Sequence, residues 1–170
     1  DATIAGGLAS ASIDREGAAR KRTPLVEKGV LSTFLYDSKS ARRAKAKVTG
    51  HASGSARSQP GISTTNVTVS TGDTPEAALL KAADGGLYVG RFSGSIDPIS
   101  GDFSGVAKNS FLIEDGVIGR PVRETLVAGN AFDLLEKIVA LGDRSHRLMS
   151  TQAPWALVDD VSVTAGAAEE

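Results

Sequence analysis

The chain has 170 residues, room for one domain with a sizeable core, and a formal net charge of -1, too little for a global field that would draw nucleic acid or membrane. It contains no cysteine, which excludes disulfides, thiolate metal ligands and a cysteine nucleophile within these residues. Nineteen glycines against one Trp, two Tyr and five Phe suggest many turns around an aliphatic core, and no apolar run approaches the roughly 20 residues of a membrane span.

The chain opens on Asp1 rather than Met, which suggests a fragment or processed product of a longer protein; no signal peptide is expected in it. Residues 2–12 are small and weakly apolar, broken at Gly6-Gly7, and read as a strand or a frayed start. Asp14, Arg15, Glu16 and Gly17 form a charged turn. Its ordinary reading is a solvated turn, and a functional one needs a partner for Asp14 or Glu16. After Arg20-Lys21-Arg22 and Pro24, the run from Gly29 through Phe34, Leu35 and Tyr36 reads as a strand. Asp37 or Ser38 can cap a short helix over 39–47.

Residues 38–72 hold no acidic side chain, while Lys39, Arg42, Arg43, Lys45, Lys47 and Arg57 make this the most basic stretch. Nucleic-acid binding is one reading, but no aromatic interleaves the cations for base stacking. A solvated helix face, or one docked on an acidic partner, is favoured. Residues 50–61 read as a loop without the Gly-Lys-Ser/Thr of a phosphate-binding loop. His51 within it reads as solvated rather than metal-bound.

Residues 62–70 are β-branched and alternate, the pattern of a half-buried strand. Thr74-Pro75 opens a helix over 75–83 that buries Leu79 and Leu80 and stops at Gly85-Gly86. A strand over 87–92 and a turn region over 93–102 follow. Asp115-Gly116 is the sharpest turn signal, because an Asp-Gly pair tolerates the positive φ angles of a two-residue hairpin turn. Strands should flank it, with an edge or a bulge at Pro121, which lacks an N–H. Asn130 should cap a helix over 131–141, with Phe132, Leu135, Ile138 and Val139 on one stripe. Residues 142–146 read as a polar loop in which Asp143 stands near His146. A last strand covers 156–164 after Pro154-Trp155.

Six or seven strands and three short helices, without strict βαβ alternation, predict an α+β fold: a predominantly antiparallel sheet or partly closed barrel over a single domain, 1–170. Chemistry is sparse. There is no Gly-x-Ser-x-Gly and no His-Glu-x-x-His, and the spacing of Asp97, Asp102, Asp159 and Asp160 selects no acid–base dyad. No residue is assigned as catalytic, cofactor-binding or metal-ligating.

The order of short motifs carries more. Ile13-Asp14-Arg15-Glu16-Gly17, Gly29-Val30-Leu31, Leu35-Tyr36-Asp37, Thr49-Gly50, Pro60-Gly61, Asn66 and Gly72 are followed by Gly86-Leu87-Tyr88-Val89, Gly101-Asp102-Phe103-Ser104, Asp115-Gly116, Pro121-Val122, Ala128-Gly129-Asn130 and Ala153-Pro154. This series resembles the C-terminal domain of the TldD/PmbA family, often named modulators of DNA gyrase, over nearly the whole chain. The resemblance implies a subunit of a cytoplasmic zinc metallopeptidase assembly. Its TldD-type members carry a His-Glu-x-x-x-His helix upstream and a cysteine ligand near the C-terminus, and the PmbA type (also called TldE) is a partner without the metal ligands. The family's cysteine would fall between Gly142 and Pro154, where this chain reads DRSHRLMSTQA. That departure points to the PmbA type. The implied partners are a TldD-like subunit or a second copy, with zinc in the catalytic partner and unfolded peptide as substrate. Independently of the resemblance, strand edges near Pro121 are expected to be able to take up an extended peptide by β-addition. The alternatives are a nucleic-acid-associated module and a purely structural oligomerisation domain.

Overall fold

Asp115-Gly116 forms the turn its composition calls for. In the computed structural model, which describes residues 1–123 and 125–164, both residues have positive φ, 55° and 70°. They join two strands whose last paired residues are Glu114 and Val117, so the loop has two residues, as in a type I′ turn.

The described chain runs β1 (Val26–Glu27), β2 (Val30–Leu31), α1 (Ser38–Ala44), β3 (Ala52–Ser53), β4 (Gly61–Ile62), β5 (Val67–Thr68), α2 (Glu76–Ala82), β6 (Leu87–Ile96), β7 (Asp102–Glu114), β8 (Val117–Val122), β9 (Thr125–Asn130), α3 (Ala131–Glu136), β10 (Ile138–Leu148), β11 (Thr151–Val158) and β12 (Ser162–Thr164). The fold is α+β with mostly antiparallel pairing and three short helices, as expected. No sheet closes into a barrel among the described residues.

Two compact units divide the chain. One comprises Asp1–Val69 and His146–Ala153; the other comprises Ser70–Ser145 and Pro154–Glu170. In the second unit β7 is the spine of a five-stranded sheet. β6 lies along one side of it, from Leu87↔Leu112 to Ile96↔Phe103. The other side is shared, with β9 pairing residues 102–107 and β8 pairing 110–114, and β12 extends the sheet beyond β9. Residues two apart in a strand share a face, and Phe103 and Ala107 of β7 meet Val127 of β9 in the buried core, with Leu87, Leu134 and Val161 against it. Phe92 packs edge-to-face on Phe103, with ring centroids 5.6 Å apart. Pro121 pairs with Phe111, and the register slips between Phe111 and Ile113. A missing N–H is tolerated at such a bulge, and β8 pairs only with β7 among the described strands.

The first unit is built differently. Its strand pairs β1 with β2 and β3 with β4 are two residues each, and β5 pairs with Thr151 and Gln152 of β11. Its buried apolar residues are Ala2, Ala41 and Ala52. Buried polar residues do more of the organising. Asp37 caps α1 through a reciprocal capping box with Ser40. Asn66 ties the opening segment: its Oδ1 accepts from the Ala9 N–H at 3.0 Å, and its Nδ2 donates to the Asp1 carbonyl at 2.9 Å and the Ser10 hydroxyl at 2.8 Å.

Several expectations are corrected. The helix after Asn130 ends at Glu136 rather than running over 131–141. Ile138 and Val139 satisfy a helical stripe and a strand equally well, and pairing of β10 with β11 decides for the strand. Phe132, Leu135 and Val139 are consequently exposed. Residues 142–146 lie inside β10 instead of a loop. Of the run ending at Tyr36, only Val30–Leu31 is strand, and the loop over 50–61 contains β3 and the first residue of β4. Twelve strands replace six or seven because the additional ones are mostly too short to carry an alternating pattern. Residues 165–170 lie outside the described residues.

Candidate functional site

The charged turn at Asp14 is a clamp. The sequence Asp-Arg-Glu-Gly reverses the chain so that the Asp14 N–H donates to the Ala18 carbonyl at 2.9 Å and Ile13 bridges Ala19. Gly17, with a φ of 79°, supplies the left-handed position. The Asp14 side chain is buried, contrary to a solvated turn, because three backbone donors replace its water. Oδ1 accepts from the Glu16 and Ala18 N–H groups, both at 2.9 Å, and Oδ2 accepts from the Ala52 N–H at 3.0 Å. Ala52 returns the contact by accepting from the Arg15 N–H at 3.2 Å. Glu16 accepts from the Ser38 N–H at 2.8 Å, at the start of α1. Both carboxylates have the partners that a functional reading required, and in both cases those partners are backbone amides.

His51 stands next to that clamp and is 3% exposed, so it is a core histidine rather than a solvated one. Its Nδ1 lies 3.1 Å from Thr49 Oγ1. The Thr49 hydroxyl also accepts from the Tyr36 N–H at 2.8 Å and donates to the Tyr36 carbonyl at 3.1 Å. A hydroxyl has one proton to give, so with Tyr36 taking it the Thr49 oxygen accepts from Nδ1–H. Burial holds the imidazole below its ordinary value of 6.5; a hydrogen bond with the Thr49 backbone opposes this and the Arg20 charge adds to it. His51 is therefore a buried member of a packed hydrogen-bond network. Gly50, between the two, has a φ of 76°, and a Cβ there would stand 2.6 Å from the Ala19 carbonyl oxygen, so neither the angle nor the space admits a side chain.

The acids scattered in the sequence do not form a dyad. Asp97 turns the chain after β6, accepting from the Ile99 and Ser100 N–H groups at 2.7 and 2.9 Å, and these amides hold its carboxyl below the usual range. Asp102 accepts from Asn130 Nδ2 at 2.8 Å. Asp160 pairs with Lys137 at 2.8 Å. Asp143 and His146 are three residues apart on β10, and odd separations put side chains on opposite faces of a strand. The six cations named above fall on α1 (Lys39, Arg42, Arg43), at its left-handed end (Lys45, φ 53°), just after it (Lys47) and in the segment between β3 and β4 (Arg57).

Zinc requires three or four His, Cys, Asp or Glu donors converging on one point. The sequence holds no cysteine and two histidines, one of them committed to Thr49, and no group of three such side chains converges among the described residues. No described helix is long and apolar enough to cross a membrane.

The element order and the open, β7-centred sheet define an α+β domain of a known structural class. The chain superposes with a TM-score of 0.82 and 34% identity on the crystal structure of a candidate modulator of a DNA gyrase from Thermotoga maritima, covering 93% of this chain and 36% of that one. It superposes with a TM-score of 0.80 and 25% identity on TldE of Thermococcus kodakarensis, covering 92% and 36%. Residues 1–165 match the family described as the PmbA/TldA metallopeptidase C-terminal domain, and the chain belongs to that family. It is similar to Metalloprotease PmbA of Escherichia coli O157:H7, 31% identical over 158 residues, which cover 92% of this chain and 33% of that protein. It also matches a Metalloprotease TldD homolog of Buchnera aphidicola subsp. Acyrthosiphon pisum, 32% identical over 145 residues, 84% and 30% of the two chains. The chain thus spans about a third of the length of these relatives.

The clamp was missed in the sequence reading, because Asp14 is held by backbone donors and Thr49 by the Tyr36 backbone, which no sequence pattern marks. The sole sequence signal was that Asp14 and Thr49-Gly50 stand among the short motifs that carry the family resemblance.

Proposed function

We propose that this chain is the C-terminal domain of a PmbA-like subunit in a TldD/PmbA peptidase assembly, acting in peptide proteolysis and itself supplying no metal ligand. One observation carries the reading: within a match that runs over residues 1–165, the segment 143–153 offers Asp143, His146 and no thiol. Zinc and its water-activating chemistry then come from a catalytic partner chain. The unbroken match supports treating 1–170 as one domain of a longer protein. The assembly is a dimer, with a TldD-like chain or with a second copy, and works in the cytoplasm. Strand β8, with Val117 and Ile118 exposed and β7 its only described strand partner, is suited to take up an extended peptide by β-addition.

The test is metal analysis and a peptidase assay on the full-length protein, alone and mixed with its TldD-like partner. Zinc and cleavage confined to the mixture are expected. Stoichiometric zinc with cleavage by this protein alone would overturn the reading.

A further inference from the structure

The net charge of -1 conceals a division. The unit of Asp1–Val69 and His146–Ala153 carries twelve Lys and Arg against five Asp and Glu, a formal +7. The other unit carries seven against fifteen, a formal -8. The salt bridges Arg120–Glu114 and Lys137–Asp160 belong to the acidic unit.

Three of those cations line one concavity. A cleft of about 300 Å³ opens between the segment after the Asp14 turn and the segment after α1. Lys21, Arg22 and Lys47 line it together with Thr33, Tyr36 and Thr49. No acidic side chain lines it. Its floor is fixed, because Thr49 is bound to both backbone groups of Tyr36 and braced by buried His51. Pro24, Ala46 and Val48 supply apolar wall.

We infer that this cleft binds a carboxylate of an acidic peptide, and that it gives the protein a preference for acidic segments. Three cations around a preformed concavity attract an anion and gain charge-assisted hydrogen bonds on contact. The mixed apolar and hydroxyl wall suits an amino-acid residue better than a bare inorganic ion. The space is that of about two residues, and a nucleic-acid strand would need a longer track and more stacking surface than Tyr36, which already packs edge-to-face with Phe34. As a statement about which peptides the subunit holds, the inference deepens the proposed function and rests on it for the word peptide.

The experiment is fluorescence anisotropy on the full-length protein with labelled hexapeptides. One is rich in Glu and Asp, one is its Gln/Asn counterpart, and each is made with a free and an amidated C-terminus. A single-stranded oligonucleotide of equal charge is run beside them. The acidic peptide should bind, should weaken as salt rises, and should bind about tenfold more weakly to the triple variant Lys21→Gln, Arg22→Gln, Lys47→Gln. Lys21, Arg22 and Lys47 are exposed, so circular dichroism should be unchanged. The free and amidated pair tells whether the bound carboxylate is terminal or from a side chain. Equal affinity for the acidic and amide peptides, no effect of the triple variant, or tighter oligonucleotide binding lost in that variant would overturn the inference. Cleavage of neutral peptides by the mixture with the partner chain is scored separately. If it persists while acidic selectivity is absent, the subunit reading stands and the cleft inference fails. Acidic binding without cleavage in the mixture means the reverse.

Discussion

The two units solve the same problem with different forces. The sheet unit buries Leu79, Phe103, Ala107, Ile113 and Val127, and its long strands satisfy their backbone groups by pairing with each other. The basic unit buries no apolar side chain larger than alanine among its described residues. It spends buried Asp14, Asp37, Thr49 and Asn66 on backbone groups of its turns, segments and helix start, and His51 on the Thr49 hydroxyl. An apolar core is tolerant, since its energy scales with area. A buried polar network is not, since each lost partner strands a desolvated donor or acceptor. The unit with the polar network is also the one that holds the basic cleft.

Four substitutions or conditions sharpen that contrast. The largest effect belongs to the apolar core: Phe103→Ala should lower unfolding free energy by about 3–4 kcal/mol in urea titrations, through lost burial and the cavity left under Phe92. An effect under about 1 kcal/mol would mean that the sheet unit is not held by this core. Next, Asp14→Ala leaves three backbone donors without their acceptor and should cost about 2–3 kcal/mol. Hydrogen exchange at the Ala18 and Ala52 amides should accelerate while the β6–β7 amides stay protected, and uniform acceleration would contradict the division.

A smaller effect comes from acid. The His51 value is lowered in the fold, so the unfolded chain binds the proton more readily. Its contribution is fully present above about pH 6.5, the unperturbed histidine value, and fades as pH falls through the lowered folded value. Urea midpoints should therefore drop on acidification, and the part of that drop due to this group should vanish in His51→Asn. The smallest effect is expected at Lys137. Its charge is held by Asp160, which raises its value, but the pair is surface-exposed, so Lys137→Ala should leave the midpoint within error.

Local chemistry was legible where it acts through neighbours in sequence. Asp115-Gly116 specified a hairpin turn, Asp37 and Asn130 specified helix starts, and Pro121 specified an irregular pairing, all as observed. The α+β class and the family followed from the order of such signals. Long-range partners were not legible. Ile138 and Val139 could join a helix or a strand until β11 was there to pair with β10. Asp14 looked like solvated charge because its three donors are backbone groups, which every residue carries and no sequence pattern marks. His51 looked exposed because the loop around it appeared free of structure, while β3 and β4 pair just beyond it.

The sequence by itself determined the turns, the helix caps, the overall charge and the absence of a thiol, because these depend on one residue or on near neighbours. Only the tertiary structure decided that the charge is divided into +7 and -8 and that Lys21 and Arg22 share a cleft with Lys47. It also decided that His51 is buried against Thr49. Electrostatic fields and binding sites are set by distances through space, and the chain's order fixes those distances only after it has folded.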